Sequence, residues 1–151
     1  MRVPTLVTGA AGFIGHHVAR TLLARGESVI GIDNLNSYYD PQLKRDRLAA
    51  LPATNRFRFL HVDFAGHEAL ESALAGIRFD RIVHLGAQAG VRYSIDNPRA
   101  YVTANLAGHL NLLELARHRG VGHMVYASSS SVYGGNDSLP FRVEDRVDHP
   151  I

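Results

Sequence analysis

The feature that most constrains this chain is a set of three glycines at three-residue spacing, Gly9, Gly12 and Gly15, between a β-rich segment and an amphipathic one. A dinucleotide-binding turn needs glycine where a strand turns sharply, where the backbone approaches a pyrophosphate, and where the following helix packs on the strand. The N-terminus of that helix adds free N–H groups and positive potential. A tight turn without a ligand is the alternative interpretation, and the placement between strand and helix favours the dinucleotide site.

Strand-like and helix-like segments alternate along the chain, an order typical of a parallel sheet built from βαβ units. The predicted strands are 5–8, 28–32, 57–62, 81–85 and 123–127. The predicted helices run from the glycine turn to Gly26, through Leu51, over about 67–74, and from an Asn97 N-cap to Gly120. We therefore predict an α/β fold with a doubly wound parallel sheet.

Two of these helices carry apolar stripes. On the first, Ile14, Val18 and Leu22 recur every four residues on one face. The last helix is apolar on more than one side, with a stripe of Val102, Leu106, Leu110 and Leu113 and, off it, Ala104, Leu112 and Leu115. We expect this last helix to pack both on the sheet and on a partner helix.

Composition excludes several classes of protein. The chain has 151 residues, 46% hydrophobic and 20% charged, as in one compact soluble domain. It has no cysteine, which excludes disulfides and thiolate metal sites and fits a reducing cytoplasm. A net charge of +2 is too balanced to predict a nucleic-acid partner. No segment is long and apolar enough to predict a membrane span.

Two local clusters of polar residues receive structural interpretations. The basic stretch from Lys44 to Arg47 is interrupted by Asp46 and is interpreted as the solvated face of a short helix. The closest histidines, His16 and His17, are adjacent on a helix and point about 100° apart, which is wrong for joint ligation. We predict no metal site.

Acidic residues follow the second and third predicted strands. Asp33 lies twenty-four positions after Gly9, where a carboxylate would accept hydrogen bonds from ribose hydroxyls and repel a 2′-phosphate. Asp63 lies at the rim where an adenine would bind. Each could instead cap its loop. The spacing favours NAD over NADP.

Four motifs resemble the extended, nucleotide-sugar branch of the short-chain dehydrogenase/reductase superfamily, and most closely UDP-glucuronate 4-epimerases. They are VTGAAGFIG at 7–15, GIDNLN at 31–36, HLGAQAGVRYS at 84–94 and YASSSSVYG at 126–134. Gly86 stands where these relatives usually carry alanine. The resemblance implies a Rossmann-type fold, bound NAD, and the cofactor-binding residues Gly9, Gly12, Phe13, Ile14, Gly15, Asp33, Asn34, Asp63, Phe64, Leu85, Gln88 and Asn105.

The serine run after the fifth strand carries the catalytic prediction. By resemblance, Ser129 lies beside the sugar 4-hydroxyl, while Ser130 and Ser131 face the uronate carboxylate and Arg92 contacts the nucleotide-sugar or its diphosphate. Short neutral donors bind an anion without a competing charge. A serine-rich loop with one ordered hydroxyl, and an Arg92 surface ion pair, are the alternatives. The loop lacks the acids of related dehydratases and decarboxylases.

The resemblance also implies what the whole enzyme does. It oxidises the sugar at C4 with bound NAD, rotates the 4-keto sugar and returns the hydride to the other face. The Tyr-x-x-x-Lys base motif is expected just beyond the chain, so we expect residues 1–151 to be an NAD-binding domain that lacks that motif and the substrate domain. An epimerase or dehydrogenase of another nucleotide sugar, and a non-enzymatic NAD-binding module, are the alternatives. A homodimer is the expected assembly.

Overall fold

The computed structural model describes residues 3–149. Five strands form one all-parallel sheet in the order β3-β2-β1-β4-β5: β1 (Thr5–Thr8), β2 (Val29–Asp33), β3 (Phe57–His61), β4 (Arg81–His84) and β5 (His123–Tyr126). The helices are α1 (Phe13–Ala24), α2 (Pro41–Ala49), α3 (His67–Ala73), α4 (Val91–Asp96), α5 (Pro98–Tyr101) and α6 (His109–Arg119). The predicted doubly wound α/β fold is confirmed, and the strand order reverses between β1 and β4.

The core lies on both faces of the sheet. All four residues of β1 and all five of β2 are buried, as expected for central strands covered by helices on two sides. Successive side chains of β1 enter different clusters: Leu6 packs with Leu112 and Leu115, whereas Val7 packs with Ala19 and Leu23. Because all five strands are parallel, their carboxyl ends lie at one edge of the sheet, where such sheets bind ligands.

The first helix buries a different stripe from the one predicted. Gly15, His16, Ala19 and Leu23 are buried, whereas Ile14 is 60% exposed. The cause is the closeness of α1 to the glycine turn: a Cβ on Gly15 would lie 2.0 Å from the Gly9 carbonyl oxygen. Glycine at position 15 lets this face of α1 approach the turn, so the apolar stripe predicted from spacing is displaced by one position.

The last helix ends as predicted but differs inside. Gly120 is left-handed, with φ of +62°, whereas the Asn97 side chain does not cap the helix and instead donates to the Tyr93 hydroxyl at 2.9 Å. Residues Val102–Gly108 form a π-helical segment between α5 and α6. Leu112 and Leu115 face the sheet, and the stripe of Val102, Leu106, Leu110 and Leu113 is 42% to 67% exposed. Within residues 3–149, no helix has the length and apolarity to cross a membrane.

Candidate functional site

A cleft of about 300 Å³ opens where the strand order reverses, at the carboxyl ends of the strands. Ligands of open α/β sheets bind at such a reversal. Eleven of the twelve predicted cofactor residues line it: Gly9, Gly12, Phe13, Ile14, Gly15, Asp33, Asn34, Asp63, Phe64, Leu85 and Gln88. The twelfth, Asn105, lines a neighbouring cavity.

The floor of the cleft is the glycine turn, and its packing requires glycine at two positions. Gly9 has φ of +66°, and a Cβ there would lie 2.8 Å from the Gly86 nitrogen. Gly15 cannot carry a Cβ because of the Gly9 carbonyl. Within the described chain, no side chain caps the N-terminus of α1, so its N–H groups remain available to an anion. A bare backbone surface at a helix N-terminus fits the pyrophosphate of a dinucleotide.

The carboxylate of Asp33 lies at one end of the cleft and already has three partners. It accepts from the Ala11 N–H at 3.2 Å and from the Leu35 N–H at 2.9 Å, and the Lys44 ammonium lies 3.5 Å away. Both side chains of the ion pair are at least nine-tenths buried. The interpretation of Lys44 as part of a solvated helix face is therefore wrong, because α2 turns this side chain inward.

Asp63 caps its own loop, as the alternative interpretation expected, and its side chain also lines the cleft. One carboxylate oxygen accepts from the Ala65 N–H at 2.9 Å and closes the turn after β3. The other accepts from the Asn34 amide at 2.9 Å, and both side chains line the cleft. Asp63 thus joins the loop after β2 to the loop after β3.

A buried Thr8–His84 pair fixes the turn that follows β4. The Thr8 hydroxyl accepts from the N–H groups of Leu85 and Gly86 at 3.1 and 3.0 Å, so its own hydrogen donates to His84 Nδ1 at 2.6 Å. This assigns the proton of the neutral imidazole to Nε2. Burial, with a smaller contribution from His109, lowers the pKa of His84 to about 4. The pair therefore carries no charge at neutral pH and holds residues 85–86 against the glycine turn.

The Phe64 ring forms part of the cleft wall and is enclosed by two glycines. A Cβ on Gly86 would lie 2.6 Å from Cε1, and a Cβ on Gly108 would lie 2.5 Å from Cε2. The Asn111 amide donates to the Phe64 carbonyl at 3.0 Å and fixes the backbone beneath the ring. The glycine at 86 thus makes room for a bulky aromatic side chain at 64.

Asn105 clamps the backbone of Gln88. Its oxygen accepts from the Gln88 N–H at 2.8 Å and its amide donates to the Gln88 carbonyl at 2.9 Å. Asn105 lies in the π-helical segment, a geometry that is frequent at functional sites. Asparagine in mid-helix therefore positions the loop that lines the cleft.

A second cavity, of about 620 Å³, adjoins the cleft and reaches the serine run. Residues 85–88 line both spaces and form a shared wall. Ser128 and Ser129 line the second cavity, whereas Ser130, Ser131 and Arg92 are exposed and lie outside both linings in the described chain. The structure therefore places Ser129, but not Ser130, Ser131 or Arg92, in the lining of the second cavity.

The hydroxyl of Ser129 is ordered by its own loop. It accepts from the Ser131 N–H at 3.2 Å and lies 3.2 Å from the Ser131 hydroxyl, so it caps the 3-10 turn Ser130–Tyr133. This agrees with the alternative of one ordered hydroxyl in a serine-rich loop. It is also compatible with a substrate contact, because a hydroxyl has two acceptor sites and one donor.

Comparison with known proteins places the chain in a family. Residues 6–151 match the family model described as GDP-mannose 4,6 dehydratase. The chain belongs to this family. The resemblance to extended short-chain dehydrogenase/reductase proteins is confirmed by this match and by epimerase relatives that align with nearly the whole chain.

Three relatives illustrate the similarity. A probable UDP-glucuronate 4-epimerase of Rhizobium meliloti is 47% identical over 97% of this chain and 43% of its own length. The structure of a mutant UDP-glucuronic acid 4-epimerase from Bacillus cereus, with UDP-4-deoxy-4-fluoro-glucuronic acid and NAD, has a TM-score of 0.81 at 34% identity. The match covers 98% of this chain and 46% of that one. The structure of Thermus thermophilus UDP-glucose 4-epimerase with NAD has a TM-score of 0.78 at 35% identity, and the match covers 98% of this chain and 44% of that one. The chain spans less than half the length of each.

The sequence did not predict some of the residues that line the cleft. Asn36, Tyr38, Tyr39 and Lys44 line the cleft from the loop after β2 and from α2. Tyr38 also packs on Tyr93 with ring centroids 4.8 Å apart. One sequence feature could have indicated Lys44, since it is a lone lysine in a polar helix close in sequence to Asp33. Among residues 3–149, no cluster of three or more histidine or acidic side chains could hold a metal ion.

Proposed function

We propose that the chain is the NAD-binding part of a nucleotide-sugar 4-epimerase that interconverts UDP-glucuronate and UDP-galacturonate through transient oxidation at C4. The observation that carries the proposal is the wall of residues 85–88 shared by the cleft and by the cavity that contains Ser129. A dinucleotide that filled the cleft would have its far end beside that wall. The reacting sugar would then lie next to the Ser129 hydroxyl.

The residues of the cleft match the parts of NAD. The glycine turn and the N-terminus of α1 suit the pyrophosphate. Asp33 suits the adenosine ribose, and Asn34 with Asp63 suits the adenine rim. When bound, NAD supplies a hydride acceptor for the sugar carbon. Asn105 and the Thr8–His84 pair hold the backbone of residues 85–88 in place.

Ser129 would hydrogen-bond the 4-hydroxyl of the sugar and orient its proton. The neighbouring hydroxyls of Ser130 and Ser131 would donate to the uronate carboxylate, and Arg92 would contact the nucleotide-sugar or its diphosphate. These last three residues are exposed here, and the proposal assigns them to a sugar bound at the mouth of the second cavity. The names of two relatives above support a uronate, and that of the third supports a related hexose.

The cofactor assignment is tested by calorimetric titration of the 151-residue chain. We expect NAD to bind more tightly than NADP, because the Asp33 carboxylate would face the 2′-phosphate. A D33N variant with the same ratio of NAD to NADP affinity as wild type would remove Asp33 from this role. Absence of NAD binding would refute the proposed function.

The reaction is tested by fusing residues 1–151 to the C-terminal part of the Rhizobium meliloti relative and separating the sugar nucleotides by chromatography. We expect turnover from the fusion and none from the 151-residue chain, which lacks the Tyr-x-x-x-Lys base. Ser129→Ala should lower turnover by roughly 10²-fold or more with NAD affinity unchanged, and Ser129→Thr should retain most of it. Exposed Ser138 is the matched control. Full activity of Ser129→Ala would refute its role.

The proposal extends to partners and location. The exposed stripe of Val102, Leu106, Leu110 and Leu113 supports a homodimer, since apolar surface of this kind is normally covered. A nucleotide-sugar is the proposed small-molecule partner, with no nucleic acid and no membrane as partner. The cytoplasm is the proposed location, where nucleotide-sugars would be available to the site.

A further inference from the structure

Helix α2 buries a single residue, and that residue is the only lysine of the chain. Lys44 is 6% exposed, whereas the neighbouring Leu43 is 45% exposed. Removing an ammonium from water is costly, and an apolar side chain at a buried ion-pair position is often equally stabilising. Packing alone therefore does not explain a lysine here.

The contacts of Lys44 place its charge at one end of the cleft. Its ammonium donates to the Asn36 side-chain oxygen at 3.0 Å and lies 3.5 Å from Oδ1 of Asp33. All three side chains line the cleft. Asp33 keeps two backbone donors, from Ala11 and Leu35, that do not depend on the lysine. The carboxylate can therefore hold its position if Lys44 is replaced.

We propose that Lys44 is a specificity-determining residue of the cofactor cleft, because its ammonium offsets the Asp33 carboxylate that would exclude a 2′-phosphate. The inference rests on the proposed function. A ribose 2′-hydroxyl can donate to Asp33 and tolerates both charges. A 2′-phosphate would be repelled by Asp33 and attracted by Lys44, so the balance of these two charges sets the ratio of NAD to NADP affinity.

The test measures that ratio by calorimetry in wild type, D33N, K44M and the double variant. K44M should raise the preference for NAD by about tenfold, because Asp33 then acts unopposed. D33N should shift the ratio toward NADP by about tenfold or more, because it frees a cation suited to phosphate. The neutral double variant should lie between the two single variants.

Arg45→Met is the matched control, because Arg45 is exposed on the same helix and the variant removes the same charge. We expect R45M to leave the ratio within about twofold of wild type, since charges in solvent are screened. If K44M does not fold, as judged by thermal unfolding, the effect of Lys44 is measured by comparing the double variant with D33N.

Each outcome decides between the two proposals. A K44M ratio equal to that of R45M, or a double variant equal to D33N, would overturn the role of Lys44 while NAD binding stands. Failure of the wild-type chain to bind either dinucleotide would overturn the proposed function and this inference with it.

Discussion

Replacing Gly86 with alanine should destabilise the domain. The new Cβ would lie 2.6 Å from Cε1 and 3.2 Å from Cζ of Phe64, and 3.2 Å from the Gly9 nitrogen. The ring cannot move away freely, because its opposite edge meets Gly108 and the Phe64 side chain is buried. Overpacking of this kind costs about 1–3 kcal/mol of unfolding free energy.

The companion change Phe64→Leu separates a steric conflict from a general need for glycine. Alone, it should cost about 1–2 kcal/mol, through lost burial and a cavity. Combined with Gly86→Ala, the added methyl enters space that the ring vacates. We expect the double variant to be more stable than the sum of the single effects by about 1 kcal/mol or more.

Urea denaturation followed by circular dichroism measures all three variants. Gly122→Ala is the control, because its nearest neighbour, the Asp80 oxygen, would lie 3.8 Å from the new Cβ; it should be neutral or stabilising by up to about 1 kcal/mol. Additive effects in the double variant, or a Gly86→Ala variant as stable as Gly122→Ala, would refute the reasoning.

Three further predictions concern stability and assembly. The pKa of His84 is lowered from 6.5 to about 4, so the stability that its neutral form contributes is complete above pH 6.5. As pH falls toward 4, the free energy of unfolding should fall by about 2–3 kcal/mol. Urea midpoints measured against pH should show this loss, and H84N should flatten the pH dependence. Arg119→Met should lower the free energy of unfolding by about 1–3 kcal/mol, because Arg119 donates hydrogen bonds to Glu71 and to the Leu74 carbonyl. The same change at exposed Arg117 should lower it by under about 0.5 kcal/mol. Equal chemical-denaturation midpoints for the two variants would contradict this prediction. Light scattering should show dimers or larger species, and L106E with L110E should reduce them; a monomeric wild type at high concentration would contradict it.

The elements that sequence analysis predicted well are those specified by local chemistry. All five strands were found because short β-rich runs alternate with helices. The glycine turn was found because Gly9 and Gly15 each have a local steric need for glycine. Gly120 ends the last helix as expected, because the chain leaves the helix through a left-handed residue, a conformation that favours glycine. Each of these signals lies within a few residues of the element it specifies.

The errors arose where contacts distant in sequence decide the outcome. Spacing placed Ile14 on the packing face of α1, but the contact of Gly15 with Gly9 rotates that face by one residue. The π-helical segment has no signature in helix propensity. Its residues serve partners elsewhere in the chain, since Asn105 pairs with Gln88 and Gly108 meets the ring of Phe64. Local patterns carry no information about such partners.

Lys44 shows how such a distant contact changes the function predicted for a site. From the sequence, the carboxylate of Asp33 was an isolated charge, and a preference for NAD followed directly from repulsion of a 2′-phosphate. In the fold, α2 places a buried ammonium 3.5 Å from that carboxylate. The preference must then be weaker than an unpaired aspartate would give, since a phosphate would meet both charges. In the proposed site, the acid predicted from sequence would fix the direction of the preference, and the lysine supplied by the fold would adjust its size.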